Sequence, residues 1–182
     1  TNHDRAYHSM CCSVSAFCNA GFATTTDSME SLRAHWLPHT VIVPLIVLGS
    51  IGFPVLANIW DVFISRIRGI RVRDGSLIRL NLNTKVVLST ALVLYVLGFG
   101  LIFLGEVAQA HVDWKLALLD AHFMNINRTS GFDTIAPVEM GLLSRLSLIA
   151  LMFVGGSPGS VAGGIKLMVF AVLVLTVWST IR

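Results

Sequence analysis

Three long stretches of this sequence contain no Asp, Glu, Lys or Arg: residues 34–60, 86–105 and 146–165. A helix needs about 20 apolar residues to cross the roughly 30 Å hydrocarbon core of a bilayer. Charged residues make up only 13% of the chain, against about 25% in soluble domains. The sequence therefore predicts an all-α integral membrane protein with three spanning segments, the third of which resumes after Lys166.

The basic residues predict how the chain is oriented. Six of the thirteen Lys and Arg residues fall in one loop, residues 61–85. Cytoplasmic loops of membrane proteins carry such an excess. We therefore expect a multi-pass protein of the cell inner membrane with loop 61–85 in the cytoplasm and residues 27–40 and 105–113 outside. A basic loop between two membrane helices is not typical of nucleic-acid binding, so no nucleic-acid partner is expected.

A Gly-Phe pair occurs twice, in "NAGF" at 19–22 and in "TSGF" at 129–132. Each pair follows a stretch of about 13 residues, 6–18 or 114–126, and precedes a polar linker and a long apolar segment. Thirteen helical residues cover about 20 Å, which is too short to span the membrane. Both stretches are therefore predicted to enter the membrane and turn back as pore loops, where non-helical backbone is buried in protein or lines a watery cavity.

A glycine at the end of such a loop has a physical use. A helix that ends inside the membrane directs its partially negative C-terminus at the centre, which favours a cation. Glycine permits the unusual dihedral angles that turn the backbone carbonyls toward an axis. Rows of carbonyls can replace the hydration shell of an alkali ion. We expect Phe22 and Phe132 to wedge the two loops against the surrounding helices, although ordinary turns are the alternative interpretation.

The third apolar segment contains "GGSPGSVAGGIK" at 155–166, with five glycines between Gly155 and Gly164. Glycine and proline unwind helices, and a broken helix at membrane depth usually lines a pathway. The segment 141–181 is therefore predicted to be a helix broken in its middle, with a plain kink as the alternative. A phosphate-binding loop is not expected, because Gly-Lys-Ser/Thr in succession is missing. Lys166 is interpreted either as a pathway charge or as a lysine that reaches the membrane interface.

Four sequence elements together resemble the Trk/Ktr/HKT superfamily of potassium transporters, and most closely the bacterial Trk-type (TrkH-like) membrane subunit. They are "SVSAFCNAGF" at 13–22, "GSIGFPV" at 49–55, "NRTSGF" at 127–132 and the glycine-rich stretch at 155–166. The last resembles the intramembrane gating loop of that family's third repeat.

The resemblance implies a potassium-channel-like architecture of M1–pore loop–M2 repeats, of which two of the expected four are present. Residues 1–66 would hold the pore loop and M2 of one repeat, the second in family order. Residues 67–84 would form the basic cytoplasmic loop, and residues 85–182 the M1, pore loop and broken M2 of the next. The potassium-channel string TVGYG is absent, so selectivity would depend on a shorter filter with one glycine per repeat.

The resemblance also implies potassium uptake across the cytoplasmic membrane, with K⁺ as substrate and no bound cofactor. The carbonyl groups expected to bind the ion are those of Asn19, Ala20, Gly21, Phe22, Thr129, Ser130, Gly131 and Phe132. The expected gating loop comprises Gly155, Gly156, Ser157, Pro158, Gly159, Ser160, Gly163, Gly164 and Lys166. Expected partners are a second copy of the chain in a homodimer, membrane lipid and a cytosolic nucleotide-binding regulatory subunit (TrkA/KtrA-like), which the basic loop would contact.

Two other function classes are weaker interpretations. A membrane-embedded enzyme that uses His8, His122 or a cysteine would need a nucleophile–base pair or metal-ligand spacing, and the sequence contains neither pattern. Cys11, Cys12 and Cys18 are instead expected to be buried free thiols. A structural membrane subunit with pore loops that no longer conduct is the third interpretation.

Overall fold

The computed structural model describes residues 2–25, 28–69, 79–108 and 113–182. Seven α-helices lie within these ranges: α1 (Asn2–Phe17), α2 (Val43–Ile51), α3 (Phe53–Arg68), α4 (Leu82–Val107), α5 (Trp114–Asn127), α6 (Leu142–Met152) and α7 (Leu167–Ile181). A 3-10 turn at Glu30–Leu32 and a π-helical turn at Pro38–Ile42 precede α2. Among the described residues the only extended pairing is an isolated bridge between Val154 and Ile165. The all-helical prediction is confirmed.

One helix in the described part of the chain, α4, is by itself long and apolar enough to cross a membrane. It has 26 residues, and its most apolar window is only 22% buried. The residues from Pro38 to Arg68 form a second candidate if their two bent helical halves count as one span. The third predicted segment is divided into two shorter apolar helices, α6 and α7, as its glycines predicted.

The first predicted spanning segment, residues 34–60, is not one continuous helix. α2 and α3 meet at an angle of 99°, and Gly52 between them has φ 81° and ψ 147°. The local reason lies in Gly52 and Pro54: glycine tolerates the positive φ, and proline, which has no backbone donor, is accommodated in the first turn of the new helix, which begins at Phe53. The bend leaves backbone groups near Gly52 open to a partner from another part of the chain.

The packing places the two short helices α1 and α5 on either side of α2. α2 contacts both of them, while α4 contacts α5, α6 and α7. The main apolar core includes Ile46, Ile102, Phe123 and Phe132, all fully buried. α2 therefore joins the two halves of the chain at the level where α1 and α5 end.

The predicted basic loop over 67–84 lies partly outside the described residues, which omit 70–78. α3 ends at Arg68 and is capped by Gly69, which has a left-handed φ of 63°, and Arg66 and Arg68 occupy its last turn. Cations at that end stabilise a helix through its dipole. The described part of the loop therefore agrees with a helix that ends among basic residues.

Candidate functional site

The first Gly-Phe segment begins where α1 ends at Phe17. Asn19 takes a left-handed φ of 51°, and the amide of Ala20 donates to the carbonyl of Ser15 at 2.9 Å. This is the hydrogen bond of a Schellman motif, with asparagine at the position that usually takes glycine. The side-chain amide of Asn19 donates to the carbonyl of Ile46 at 3.4 Å. The turn is thereby tied to α2.

The second Gly-Phe segment begins where α5 ends at Asn127. The amides of Ser130 and Gly131 both donate to the carbonyl of Asn127, at 2.9 and 3.3 Å. The side-chain amide of Asn127 donates across the turn to the carbonyl of Phe132. Asn127 is only 3% exposed, so this single residue organises the second turn from inside the protein.

The two Gly-Phe segments lie directly against each other. Gly21 has φ +70° and Gly131 φ +97°, a region that residues with a Cβ rarely adopt. A Cβ added to Gly21 would overlap the carbonyl oxygen of Ser130 and lie 2.9 Å from the Cα of Gly131. The structure therefore brings together the two groups of residues that the sequence predicted as one site, and it leaves no room for a side chain at position 21.

Most backbone carbonyls at this junction lack a hydrogen-bond donor among the described residues. The exception among the eight predicted groups is Phe132, whose carbonyl accepts the amide of Asn127. The other seven accept no hydrogen bond from the described residues: Asn19, Ala20, Gly21, Phe22, Thr129, Ser130 and Gly131. Backbone polar groups at membrane depth need a partner. A cluster of free carbonyls therefore suits either water or a cation.

The two phenylalanines of the repeat have different surroundings. Phe132 is fully buried and packs in the main core, as predicted, whereas Phe22 is 78% exposed. The prediction that Phe22 wedges its loop against surrounding helices is wrong for the described residues. The physical reason is that the segment after α1 lies at an edge of the chain, where α1 itself exposes apolar side chains such as Met10.

The junction carries charge of both signs, because two helix C-termini and Asp133 lie beside it and Arg128 directly precedes Thr129. α1 and α5 both end there, so two helix C-termini contribute partial negative charge. Asp133 follows the second segment directly. Burial raises the pKa of the Asp133 carboxyl, and the negative charge of Glu30 raises it further. No positively charged side chain hydrogen-bonds to either Gly-Phe pair among the described residues.

The glycine-rich loop between α6 and α7 closes on itself at its base. The amide of Gly155 donates to the carbonyl of Ile165 at 2.9 Å, and the amide of Ile165 donates to that of Phe153 at 3.0 Å. Eight of the nine predicted gating residues lie in this loop: Gly155, Gly156, Ser157, Pro158, Gly159, Ser160, Gly163 and Gly164. The ninth, Lys166, is the N-cap of α7.

The same loop docks onto the bend between α2 and α3. Three backbone hydrogen bonds join them: Ser157 N to Ser50 O at 2.9 Å, Val161 N to Gly49 O at 3.3 Å, and Phe53 N to Gly159 O at 3.4 Å. The bend that the sequence did not predict is therefore the surface that receives the loop. Small residues at the contact let the two backbones approach.

Lys166 holds the loop from within. Its ammonium donates to the carbonyl of Ala162 at 2.7 Å and to that of Ser160 at 3.4 Å. The two predicted roles, a pathway charge and an interfacial lysine, stay predictions beside this arrangement. The side chain caps two carbonyls that the broken helix leaves without backbone partners.

Arg128 connects the second Gly-Phe segment to the glycine loop. It follows α5 directly, and its Nε donates to the carbonyl of Val154 at 3.2 Å. Arg128 and Thr129 also line a cavity of 310 Å³ together with Gly155 and Gly156. No role was predicted for Arg128, although an arginine next to a predicted pore loop was the available signal.

A buried ion pair beside the site was also missed. Arg33 contacts Asp120, which is only 1% exposed. The signal was Asp120 itself, the one acidic residue within α5. The partner of Asp120 was not predictable, because Arg33 lies 87 positions away in the sequence.

Two of the sequence candidates for an enzyme, His122 and the cysteines, do not form a nucleophile–base pair among the described residues, because His122 is bonded to Tyr95 and not to a cysteine. His122 Nδ1 lies 2.7 Å from the hydroxyl of Tyr95. The three cysteines are free thiols; Cys11 and Cys12 are half-buried, whereas Cys18 is exposed. The prediction that all three are buried is therefore wrong.

Comparison with known proteins gives a family for the whole chain. The family model described as TrkH, cation transport protein, matches residues 1–182. The chain is 31% identical over 93% of its length to the "Ktr system potassium uptake protein B" of Vibrio alginolyticus. It is 30% identical over its full length to the "Ktr system potassium uptake protein D" of Bacillus subtilis. It is also 30% identical over 89% of its length to the "Potassium/sodium uptake protein NtpJ" of Enterococcus hirae.

The chain spans little more than a third of these relatives. The matched region covers 36% of the Vibrio protein, 39% of the Bacillus protein and 34% of the Enterococcus protein. The similarity therefore concerns one contiguous part of proteins that are much longer than this chain.

Proposed function

This chain belongs to the TrkH family of cation transport proteins, and from that premise we propose that it supplies two strands of the ion filter in a potassium-uptake protein of the cell inner membrane. The family is one of transport proteins and not of enzymes. The relatives are named for potassium uptake, and one of them for potassium and sodium. Potassium is accordingly proposed as the substrate that passes through the site.

One observation supports this proposal above the others. Two glycines of positive φ lie against each other after two short helices, in segments where seven backbone carbonyls accept no hydrogen bond from the described residues. A potassium filter needs carbonyls that replace water around the ion, and it needs glycine where the backbone turns. Ordinary turns would not require two segments so far apart in sequence to meet at their glycines.

The proposed architecture is two of four M1–pore loop–M2 repeats. Residues 1–66 contribute α1 as a pore helix and the bent pair α2–α3 as M2. Residues 85–182 contribute α4 as M1, α5 as a pore helix and α6–α7 as a broken M2, and residues 67–84 form the cytoplasmic connection. Two strands cannot surround an ion. The exposed backbone at Ala20 and Gly131 is proposed as the surface that the remaining strands cover.

The loop from Gly155 to Gly164, with Lys166, is proposed as a gate and not as a selectivity element. It contacts Arg128 and the α2–α3 bend and does not belong to the Gly-Phe junction. Its docking on the bend consists of three backbone hydrogen bonds. At about 1 kcal/mol net for each bond, a regulatory change of a few kcal/mol is enough to release the loop.

The proposed assembly is a homodimer with a cytosolic nucleotide-binding subunit. Two of the relatives are named as proteins of a Ktr system. The basic loop near Arg66 and Arg68 is proposed as the contact with that subunit, since positive charge steers and orients an acidic partner.

The test measures ion flux through the complete four-repeat protein in liposomes. The parent is expected to carry potassium in preference to sodium, and Gly131→Ser is expected to reduce that preference because a side chain there alters the carbonyl directions. Gly100→Ser is the matched control, because a Cβ at Gly100 in α4 would meet no atom within 4 Å. A parent protein that carries neither ion would favour the structural-subunit interpretation. An unchanged preference in the Gly131 variant would contradict the filter assignment.

A further inference from the structure

The carboxylate of Asp120 accepts hydrogen bonds from two different parts of the chain. Arg33 Nε lies 3.1 Å from Oδ1 and 2.9 Å from Oδ2, and Arg33 Nη2 also donates to Oδ2. The hydroxyl of Thr134 donates to Oδ1 at 3.2 Å. Asp120 is 1% exposed and the Arg33 side chain 24%. A buried carboxylate is therefore held in one orientation by three donor groups.

The donors come from the two chain segments that leave the Gly-Phe junction. Arg33 follows the 3-10 turn Glu30–Leu32 in the linker after Gly21, and Thr134 lies three residues after Gly131. Asp120 itself lies within α5, the helix that ends at the second segment. One carboxylate on a pore helix thus contacts both linkers.

Backbone hydrogen bonds join the same two linkers. The amide of Met29 donates to the carbonyl of Asp133 at 3.0 Å. The amide of Asp133 donates to the hydroxyl of Ser28, also at 3.0 Å. The linkers are therefore fixed to each other next to the site as well as to Asp120.

Stability alone does not explain an ion pair at this place. Phe123, one turn after Asp120 in α5, belongs to the apolar core, and replacing a buried ion pair by apolar residues is often neutral or stabilising. A planar guanidinium that binds a carboxylate through two parallel hydrogen bonds fixes both the distance and the angle between the two groups. The pair therefore sets a relative position more strictly than apolar packing would.

We propose that Arg33, Asp120 and Thr134 form an outer latch that positions the two filter strands relative to each other and so contributes to the choice between potassium and sodium. This inference rests on the proposed function. The three residues are positioning residues, since none of them belongs to the Gly-Phe segments. Selectivity is sensitive to them because the number and placement of carbonyls around the ion distinguish the two cations.

The central experiment uses the double variant Arg33→Gln with Asp120→Asn in the complete protein. It removes both charges together, because removing one partner of a buried pair leaves an unpaired charge and destabilises strongly. Half-saturating concentrations and maximal rates are measured in liposomes for potassium and for sodium. The preference for potassium is expected to fall by about tenfold, within the range found for hydrogen-bonded residues that are coupled, while the maximal potassium rate stays near that of the parent.

A second pair of variants keeps the test decisive if the double variant does not fold. Thr134→Val has nearly the same shape as threonine but lacks the donor to Asp120, whereas Thr134→Ser retains it. The valine variant is expected to lose part of the potassium preference and the serine variant to keep it. Arg145→Gln is the control, because Arg145 donates to the carbonyls of Val138 and Met140 and has no hydrogen bond to Asp120.

The outcomes separate the latch from the proposed function. A parent protein without potassium flux contradicts the proposed function before any variant is compared. A selective parent with unchanged preference in the folded double variant, or in Thr134→Val, overturns the latch alone. Loss of maximal rate with unchanged preference also overturns it, because that result indicates a purely structural ion pair.

Discussion

Replacing Lys166 with methionine should increase potassium flux, because the ammonium of Lys166 holds the glycine loop in its docked conformation. Nζ donates to the carbonyl of Ala162 at 2.7 Å and to that of Ser160 at 3.4 Å. Methionine retains an unbranched apolar side chain but donates no hydrogen bond. The change therefore removes the cap and leaves the rest of the loop sequence unaltered.

The size of the effect follows from these contacts. A hydrogen bond from a charged donor contributes about 1.5–3 kcal/mol net, and the docking bonds from Ser157, Val161 and Phe53 contribute about 1 kcal/mol each. The Lys166 bonds lie within the loop, and we expect the cap to form only in the docked conformation, so that its loss favours the undocked loop. Since 1.4 kcal/mol is a factor of about ten, the ratio of undocked to docked loop should rise by about 10- to 150-fold.

Flux of potassium and sodium into liposomes that contain the complete protein measures this prediction. Lys166→Met should raise the potassium rate and leave the preference over sodium unchanged. Lys166→Arg should remain close to the parent, because it keeps charged donors. Lys115→Met is the matched control, since Lys115 lies over the ring of Trp114 and away from the loop. Shortening the loop between 159 and 163 should act in the same direction as Lys166→Met. A folded Lys166→Met protein that conducts no faster than the parent would refute the gating role of the loop.

Three further predictions concern the filter, the topology and pH. Gly21→Ala should destabilise the protein more than Gly131→Ala. Both substitutions cost about 1–2 kcal/mol for the left-handed backbone, but only the Cβ at position 21 overlaps the Ser130 carbonyl. Thermal unfolding in detergent measures the difference, and equal losses of stability in the two variants would contradict the prediction. Ser76→Cys, which lies outside the described residues, should react with an impermeant thiol reagent only from the cytoplasmic side, and labelling from outside would reverse the topology. Burial and the charge of Glu30 raise the pKa of Asp133, so the folded protein loses stability as pH rises from the ordinary carboxyl pKa to the raised one. The stability of Asp133→Asn relative to the parent should therefore increase across that pH window. A stability difference that does not change with pH would exclude the ionisation of Asp133 as the cause.

The sequence predicted the elements whose signal is local. The stretch 114–126 was expected as a short helix, and α5 covers Trp114–Asn127, because its apolar composition and length determine it. The break in the third apolar segment was equally local, since five glycines and a proline cannot continue a helix. The repeat of Gly-Phe also sufficed to group residues 19–22 with 129–132.

What the sequence did not predict depends on contacts between distant residues. The bend at Gly52 matters because the glycine loop, more than a hundred positions later, docks on it, and a single glycine in an apolar run does not reveal that partner. The pairing of Arg33 with Asp120 was likewise not predictable, because the two residues are far apart in the sequence. Phe22 and Phe132 have the same local sequence context but opposite burial, because only the surrounding helices distinguish them.

The most direct test of the central claim is anomalous diffraction from crystals of the complete protein grown with Rb⁺ or Tl⁺ in place of potassium. We expect an anomalous peak beside the junction of Gly21 and Gly131, coordinated by carbonyl oxygens of residues 19–22 and 129–131, and no such peak in Gly131→Ser crystals. Well-ordered crystals that show the heavier cation bound only elsewhere, or no cation at this junction, would contradict the proposal that these two segments are filter strands.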